Sequence, residues 1–194
     1  MENIPEPVIP ENNQNTKPES STPGYLWEAV QTVALALILF FFIDTFLARA
    51  RVENISMLPN LREGNFLLVN KFAYAWGGEM HRGDIIVFHY PLDPDSDYIK
   101  RLIGLPGDVI KIEKDKTYIN GKLVAEPYLK NIGTYSGEWQ VPEGMFFALG
   151  DNRDISKDSH EFGFIPMSDL VGKAIFIYFP FDQIRPLNDT INMN

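Results

Sequence analysis

The sequence predicts a mainly β protein: a single N-terminal transmembrane helix followed by an antiparallel β-rich domain. Three observations predict it. An apolar run near the N-terminus has the length of a bilayer crossing. The rest is cut by Gly and Pro into short runs rich in β-branched and aromatic residues. No stretch of that remainder carries a sustained apolar stripe at helical spacing.

Residues 1–24 are rich in Pro, Glu, Asn and Ser, a composition that cannot bury a core, and read as a disordered tail. The character changes at "LWEAVQTVALALILFFFIDTFL". Leu26–Leu47 would make a helix about 33 Å long, enough to span a bilayer. Tyr25 and Trp27 suit the interface, and Glu28 and Asp44 lie near the ends, where charge costs least. The expected anchor is therefore residues 25–48.

Two other readings compete. The unbroken apolar core Val33–Ile43 fits the h-region of a cleavable secretory signal, and Ala48-Arg49-Ala50 has the small-x-small form of a cleavage site. The acidic segment before it argues against a signal, which needs positive charge there. A buried core helix is the third reading.

The third segment, residues 49–194, is large enough to bury its own core. "NFLLVNKFAY", "DIIVFHY", "DYIKRLIG", "DVIKIEK", "MFFALG" and "VGKAIFIYFPF" read as strands. "TYINGKLV" reads as a hairpin, with Asn120-Gly121 supplying the positive φ of a type I′ turn. With a net charge of −9 and no basic cluster, nucleic acid is not an expected partner. The chain has no cysteine, and its three histidines fall at no familiar metal-ligand spacing. No cofactor and no metal are expected, although a carboxylate-only site stays open.

Three stretches carry polar groups that their surroundings do not require. "VENISMLPNL" places Ser56 in a Pro-containing turn just after the apolar run, which alone is an everyday loop. "DYIKRLIGLPGD" sets Lys100 and Arg101 in an apolar strand. Alternation points Tyr98, Lys100 and Leu102 to one face and Ile99, Arg101 and Ile103 to the other. A lone strand lysine is ordinarily one that snorkels to solvent. "GDNRDISKDSHEFGFIP" crowds charge between two strands. Calcium is the obvious competitor there, but Arg153 and Ile155 stand where an EF-hand needs oxygen ligands. A loop of Asx turns that satisfies its own backbone is the plain alternative.

Together these stretches resemble the type I signal peptidases, membrane-anchored Ser-Lys endopeptidases, from the anchor onward. "SMLPNL", "RGDIIVFHY", "YIKRLIGLPGD" and "GDNRDISKDSHEFGFIP" match the four boxes of that family in order and spacing. The resemblance implies Ser56 as nucleophile and Lys100 as general base. It implies Asn54 and Ser156 at oxyanion-hole or base-orienting positions, with Arg101, Asp151 and Asp158 holding strand and loop around them. Three positions depart from the pattern: Asn60 for Thr, Asn54 for Ser or Thr, and His160 for Arg, which makes its pairing with Asp158 pH-dependent. The chemistry agrees, since a serine needs a neighbouring base and a lysine can be one near neutrality only when burial lowers its pKa.

The implied function is removal of signal peptides from exported preproteins after Ala-x-Ala-type sequences. The implied partners are those signal peptides, the lipid bilayer and, indirectly, the protein export machinery. Self-cleaving repressors and organelle-type maturation peptidases share the chemistry; the acidic balance and lack of a DNA-binding region disfavour the first. An anchored β-domain that only binds is an alternative of another class. Counting Lys17 before the apolar run against Arg49 and Arg51 after it would put the domain in the cytoplasm. The function demands the opposite, and the expected location is the cell membrane, single-pass, with the catalytic domain on the extracytoplasmic side.

Overall fold

A computed structural model of the chain describes residues 22–75, 78–113, 116–129, 131, 133–187 and 192–193. Most of the expected tail, residues 1–21, lies outside the described residues. The chain divides into two compact units, one ending at Phe41 and one beginning at Phe42. The first belongs to helix α1 (Thr22–Phe46), whose stretch Gly24–Phe46 is long and apolar enough to cross a membrane and buries none of its side chains. A core helix would bury them. The helix stops at Phe46, two residues before the expected end of the anchor, because Leu47 and Ala48 already belong to a strand.

That strand is β1 (Leu47–Arg51), and it pairs along its whole length with β2 (Phe66–Asn70), Ala48 opposite Val69 and Ala50 opposite Leu67. A cut after Ala50 would strip this strand from its sheet, which argues against the cleavable-signal reading. The chain continues through β3 (Ile85–Tyr90), β4 (Asp93–Gly104), β5 (Val109–Glu113), β6 (Lys116–Ile119) and β7 (Lys122–Ala125). Then come β8 (Gly137–Gln140), β9 (Met145–Leu149), the one-turn helix α2 (Ser159–Phe162) and β10 (Ile165–Pro166). It ends with β11 (Leu170–Phe179), β12 (Arg185–Pro186) and β13 (Asn192–Met193).

Two antiparallel sheets result. The larger runs β1-β2-β11-β3-β4-β9-β10, with β12 also on β11; the smaller runs β13-β7-β6-β5-β8. The β6–β7 connection is the expected hairpin. Ile119 faces Lys122, and Asn120 and Gly121 have φ of 53° and 78°, the two positive values a type I′ turn needs.

The apolar runs do not alternate strictly because the larger sheet is covered on both faces. Leu102 packs with Ile86, Phe88, Phe146, Ala148 and Ile165, while its neighbour Ile103 packs with Ile110, Ile119, Phe147 and Leu149. Strands buried on both sides read as continuous apolar runs. A third cluster, of Val52, Met57, Leu61, Leu67, Ile85 and Ala174 among others, lies directly under the loop that carries Ser56.

Candidate active site

Ser56 sits in the turn between β1 and β2. Met57 and Leu61 are both buried in the cluster beneath, and Leu61 N–H donates to the Met57 carbonyl at 2.9 Å while Leu58 N–H donates to that of Ile55 at 3.2 Å. Two apolar anchors and two tight turns therefore fix the serine, which is only 6% exposed.

Lys100 arrives from the middle of β4, paired through Ile86 on β3. Its ammonium donates to Ser56 Oγ at 2.8 Å and to the Ile99 carbonyl at 3.2 Å. The Nζ also lies 5.1 Å from the centre of the Tyr98 ring, so the alternation that puts Tyr98 and Lys100 on one face holds. The lysine does not snorkel, being 1% exposed. Burial pushes its pKa down from 10.5 to about 8, against the opposing pull of the Asp158 and Asp151 carboxylates. Desolvation disfavours the charged amine, and here it outweighs two nearby acids.

Arg101, next along the strand, points to the other face. Its Nε and Nη2 bond the two Asp151 oxygens at 2.8 and 2.7 Å, its Nη1 bonds the Gly83 carbonyl at 2.8 Å, and its guanidinium lies 4.0 Å from the Tyr128 ring centre. Both partners of this ion pair are fully buried. The strand thus presents one cation to the serine and spends the other on framework.

Asp158 caps α2. One oxygen accepts from Gly150 N–H at 2.8 Å; the other accepts from His160 N–H at 3.2 Å and meets His160 Nδ1 at 2.7 Å. That hydrogen bond raises the His160 pKa against the opposing effect of burial, and the ring stacks on Tyr135 at 3.9 Å. The contact is an ion pair below the raised pKa and weakens as pH climbs through it. Asp151 and Asp158 are thus committed to the Arg101, Gly150 and His160 donors. Among the described residues no group of three or more His, Asp and Glu is placed to hold a metal ion.

The two remaining expected residues behave differently. Ser156 is buried, and its hydroxyl has no hydrogen-bond partner among the described residues, so the expected bond to Lys100 is not made. It packs on Gly150, where an added Cβ would lie 2.1 Å from Ser156 Oγ and 2.6 Å from the Ser56 carbonyl oxygen. Only glycine lets the end of β9 approach the serine turn this closely. Asn54 is exposed and beside Ser56, but it offers oxygen. Its Oδ1 accepts from Ser56 N–H at 3.1 Å and from Ser56 Oγ at 2.7 Å.

Four residues to which the sequence assigns no part in the site help to assemble it. Asn60 Nδ2 donates to Asp151 at 2.8 Å and to the Tyr128 carbonyl at 2.9 Å, two acceptors that the single hydroxyl proton of a threonine could not serve together. Asn152 N–H donates to the Ser56 carbonyl at 2.9 Å and its Nδ2 to that of Ile55 at 3.2 Å. Gly150 clears the space described above. Arg153, buried, bonds the Gly150 carbonyl at 3.1 Å and pairs with Glu126. All but Asn60 lie in the "GDNRD" run, whose charge density was the available signal.

Beside the serine, a cleft of about 500 Å³ runs between Arg49–Asn54 and Asp95–Ile99. Among the described residues, both walls are unpaired strand edges. β1 is the last strand of its sheet, and β9 covers β4 only from Arg101 onward. Ala50 and Ile99 pack onto the core below.

The family described as signal peptidase, peptidase S26, matches residues 26–179 of the chain. The signal peptidase I of Bacillus caldolyticus is 42% identical over 172 residues, covering 81% of this chain and 90% of that protein. Signal peptidase IB of Staphylococcus aureus is 36% identical over 180 residues, covering 82% and 93%. A crystal structure of a signal peptidase I from Enterococcus faecalis, 36% identical, covers 49% of this chain and 96% of its own, with a TM-score of 0.46.

Proposed function

The chain belongs to the signal peptidase family, peptidase S26, and from that premise we propose that it is a membrane-anchored serine endopeptidase that removes N-terminal signal peptides from exported preproteins. Ser56 is the nucleophile and Lys100 the general base. The observation that carries this reading is the 2.8 Å contact between a buried lysine and the serine hydroxyl oxygen.

In the reaction, neutral Lys100 takes the proton of Ser56 Oγ as that oxygen attacks the scissile carbonyl carbon. The negative charge that develops on the carbonyl oxygen is met by the Ser56 N–H, beside Asn54. When the C–N bond breaks, the Lys100 ammonium returns the proton to the leaving amine, the new N-terminus of the mature protein. Water then attacks the acyl-serine ester, gives its proton to Lys100, and releases the signal peptide as a carboxylic acid while Oγ recovers its proton. Ser156, a buried hydroxyl without a hydrogen-bond partner among the described residues, is the group available to hold the amine once it is neutral; a buried polar group left unsatisfied is costly and calls for a role of this kind.

The cleft supports an extended substrate. A peptide lying between two free strand edges satisfies its own backbone and theirs, and sends alternate side chains toward the floor. Ala50 and Ile99, packed on the core at that floor, support small residues at the first and third positions before the cut, the Ala-x-Ala preference. The expected experiment is in vitro cleavage of a preprotein in detergent. The wild type should release a product beginning just after the small-x-small site, and Ser56→Ala should release none. Equal cleavage by the two would refute the assignment.

We place the boundaries at a tail before α1, a membrane segment within α1 (Thr22–Phe46) and a catalytic domain from β1 onward. The helix crosses the bilayer once, and the domain lies on the extracytoplasmic side, where signal sequences emerge from the export machinery. Only one basic residue of excess opposes this orientation. Protease added to spheroplasts should degrade the domain; a domain protected until the membrane is broken would contradict both the orientation and the role.

A further inference from the structure

Counting protons around Ser56 shows a serine that is not yet aimed at its base. A backbone N–H can only donate, so the Asn54 atom 3.1 Å from Ser56 N is oxygen, which fixes the orientation of the amide. That oxygen has no proton to give, so the Ser56 hydroxyl 2.7 Å away must donate to it. A hydroxyl has one proton. The Lys100 Nζ at 2.8 Å must therefore donate to Oγ rather than accept from it. The chain of donation runs from lysine to serine to asparagine, opposite to the transfer that attack requires. The same Asn54 oxygen also occupies the Ser56 N–H, the donor an oxyanion needs.

We propose that Asn54 is a substrate-released latch: its side-chain oxygen holds the nucleophile's proton away from Lys100 and closes the oxyanion seat until a scissile carbonyl takes its place at the Ser56 N–H. This rests on the reading of Ser56 as nucleophile and Lys100 as base. An asparagine oxygen capping the N–H two residues on is an ordinary loop feature. What goes beyond it is the capture of the catalytic hydroxyl by the same atom. Asn54 is exposed and lines the substrate cleft, so an incoming peptide can displace it without disturbing the core. Once the carbonyl oxygen accepts from Ser56 N–H, the hydroxyl loses its outward acceptor and turns its proton to the nearest remaining one, neutral Nζ. Filling the seat and arming the serine become one event, and Asn54 acts as a positioning residue.

The test is the rate at which a small uncharged fluorophosphonate labels Ser56, alongside KM and kcat for a preprotein. In labelling, Oγ bonds phosphorus, fluoride leaves and Lys100 takes the hydroxyl proton. The probe is too small to displace the side chain by filling the cleft. Asn54→Ala, which removes the competing acceptor, should label roughly three- to tenfold faster than wild type, the range one neutral hydrogen bond supplies. Its KM should fall, because binding no longer has to open the latch, while kcat does not rise. Asn54→Asp keeps the acceptor and strengthens it with charge, and should label at least tenfold more slowly. A side chain that merely shapes the turn, or one that donates to the oxyanion, would slow labelling in Asn54→Ala; that outcome, or an unchanged rate, overturns the latch. Absence of any label on wild-type Ser56 would instead sink the assignment of the nucleophile, and the latch with it.

Discussion

Lys100→Arg abolishes preprotein cleavage as completely as Lys100→Ala, a loss on the order of 10⁴-fold or more if the dyad carries the usual weight of a catalytic unit. Arginine retains the positive charge and much of the stem, so a lysine that served only to bind or to pack would tolerate the change. A base cannot, because a guanidinium does not give up its proton in a protein. The wild type should show the complementary pH dependence. With the Lys100 pKa lowered by burial to about 8, roughly a tenth of the enzyme holds a neutral amine at pH 7. An unperturbed lysine would give fewer than about one in a thousand. Cleavage should rise about tenfold per pH unit up to that pKa and level off above it. Turnover of Lys100→Arg within tenfold of wild type would mean that Ser56 draws its base from elsewhere.

The second large effect is on stability. Arg101 and Asp151 are both fully buried and joined by two hydrogen bonds, of 2.8 and 2.7 Å, and they tie the middle of β4 to the loop after β9. Asp151→Ala leaves a guanidinium without its counter-charge in a space that water does not reach, which costs about 3–5 kcal/mol. That is a large share of the 5–15 kcal/mol that holds an ordinary domain folded. The melting temperature should drop by roughly 10–20 °C. Pairing it with Arg101→Met should restore a good part of the loss, because no charge is then stranded. Thermal unfolding of the singles and the double decides it. A double variant as unstable as the sum of the singles would show that the pair is not one structural joint.

The sequence was most legible where local chemistry decides structure. Asn120-Gly121 could hardly be anything but a tight hairpin turn, and strand alternation correctly separated Lys100 from Arg101. The β-rich class followed from the same kind of signal, as did the single apolar helix. It was least legible where distant segments meet. β1 is hidden in Leu47–Arg51, which continues an apolar helix and mimics a cleavage site; only its partner β2 makes it a strand. The part played by Asn60 in place of threonine is not legible locally, because nothing nearby in the chain says that the Asp151 carboxylate and the Tyr128 carbonyl will both stand within reach. Gly150 and Asn152 are likewise explained by the serine turn, almost a hundred residues earlier in the chain. The family resemblance puts Asn54 at an oxyanion-hole or base-orienting position, but whether it gives a proton or takes one depends on the atom it turns toward Ser56. No sequence pattern encodes that choice.

The most direct test of the dyad is the titration of the Lys100 amine itself, followed by NMR through the side-chain ¹³Cε signal in protein labelled at lysine and assigned by its loss in Lys100→Arg. Burial against the Tyr98 ring and the serine loop should bring its midpoint to about 8, well below that of the exposed lysines. A midpoint at the ordinary lysine value of ~10.4 would leave Ser56 without a base near neutral pH and contradict the account.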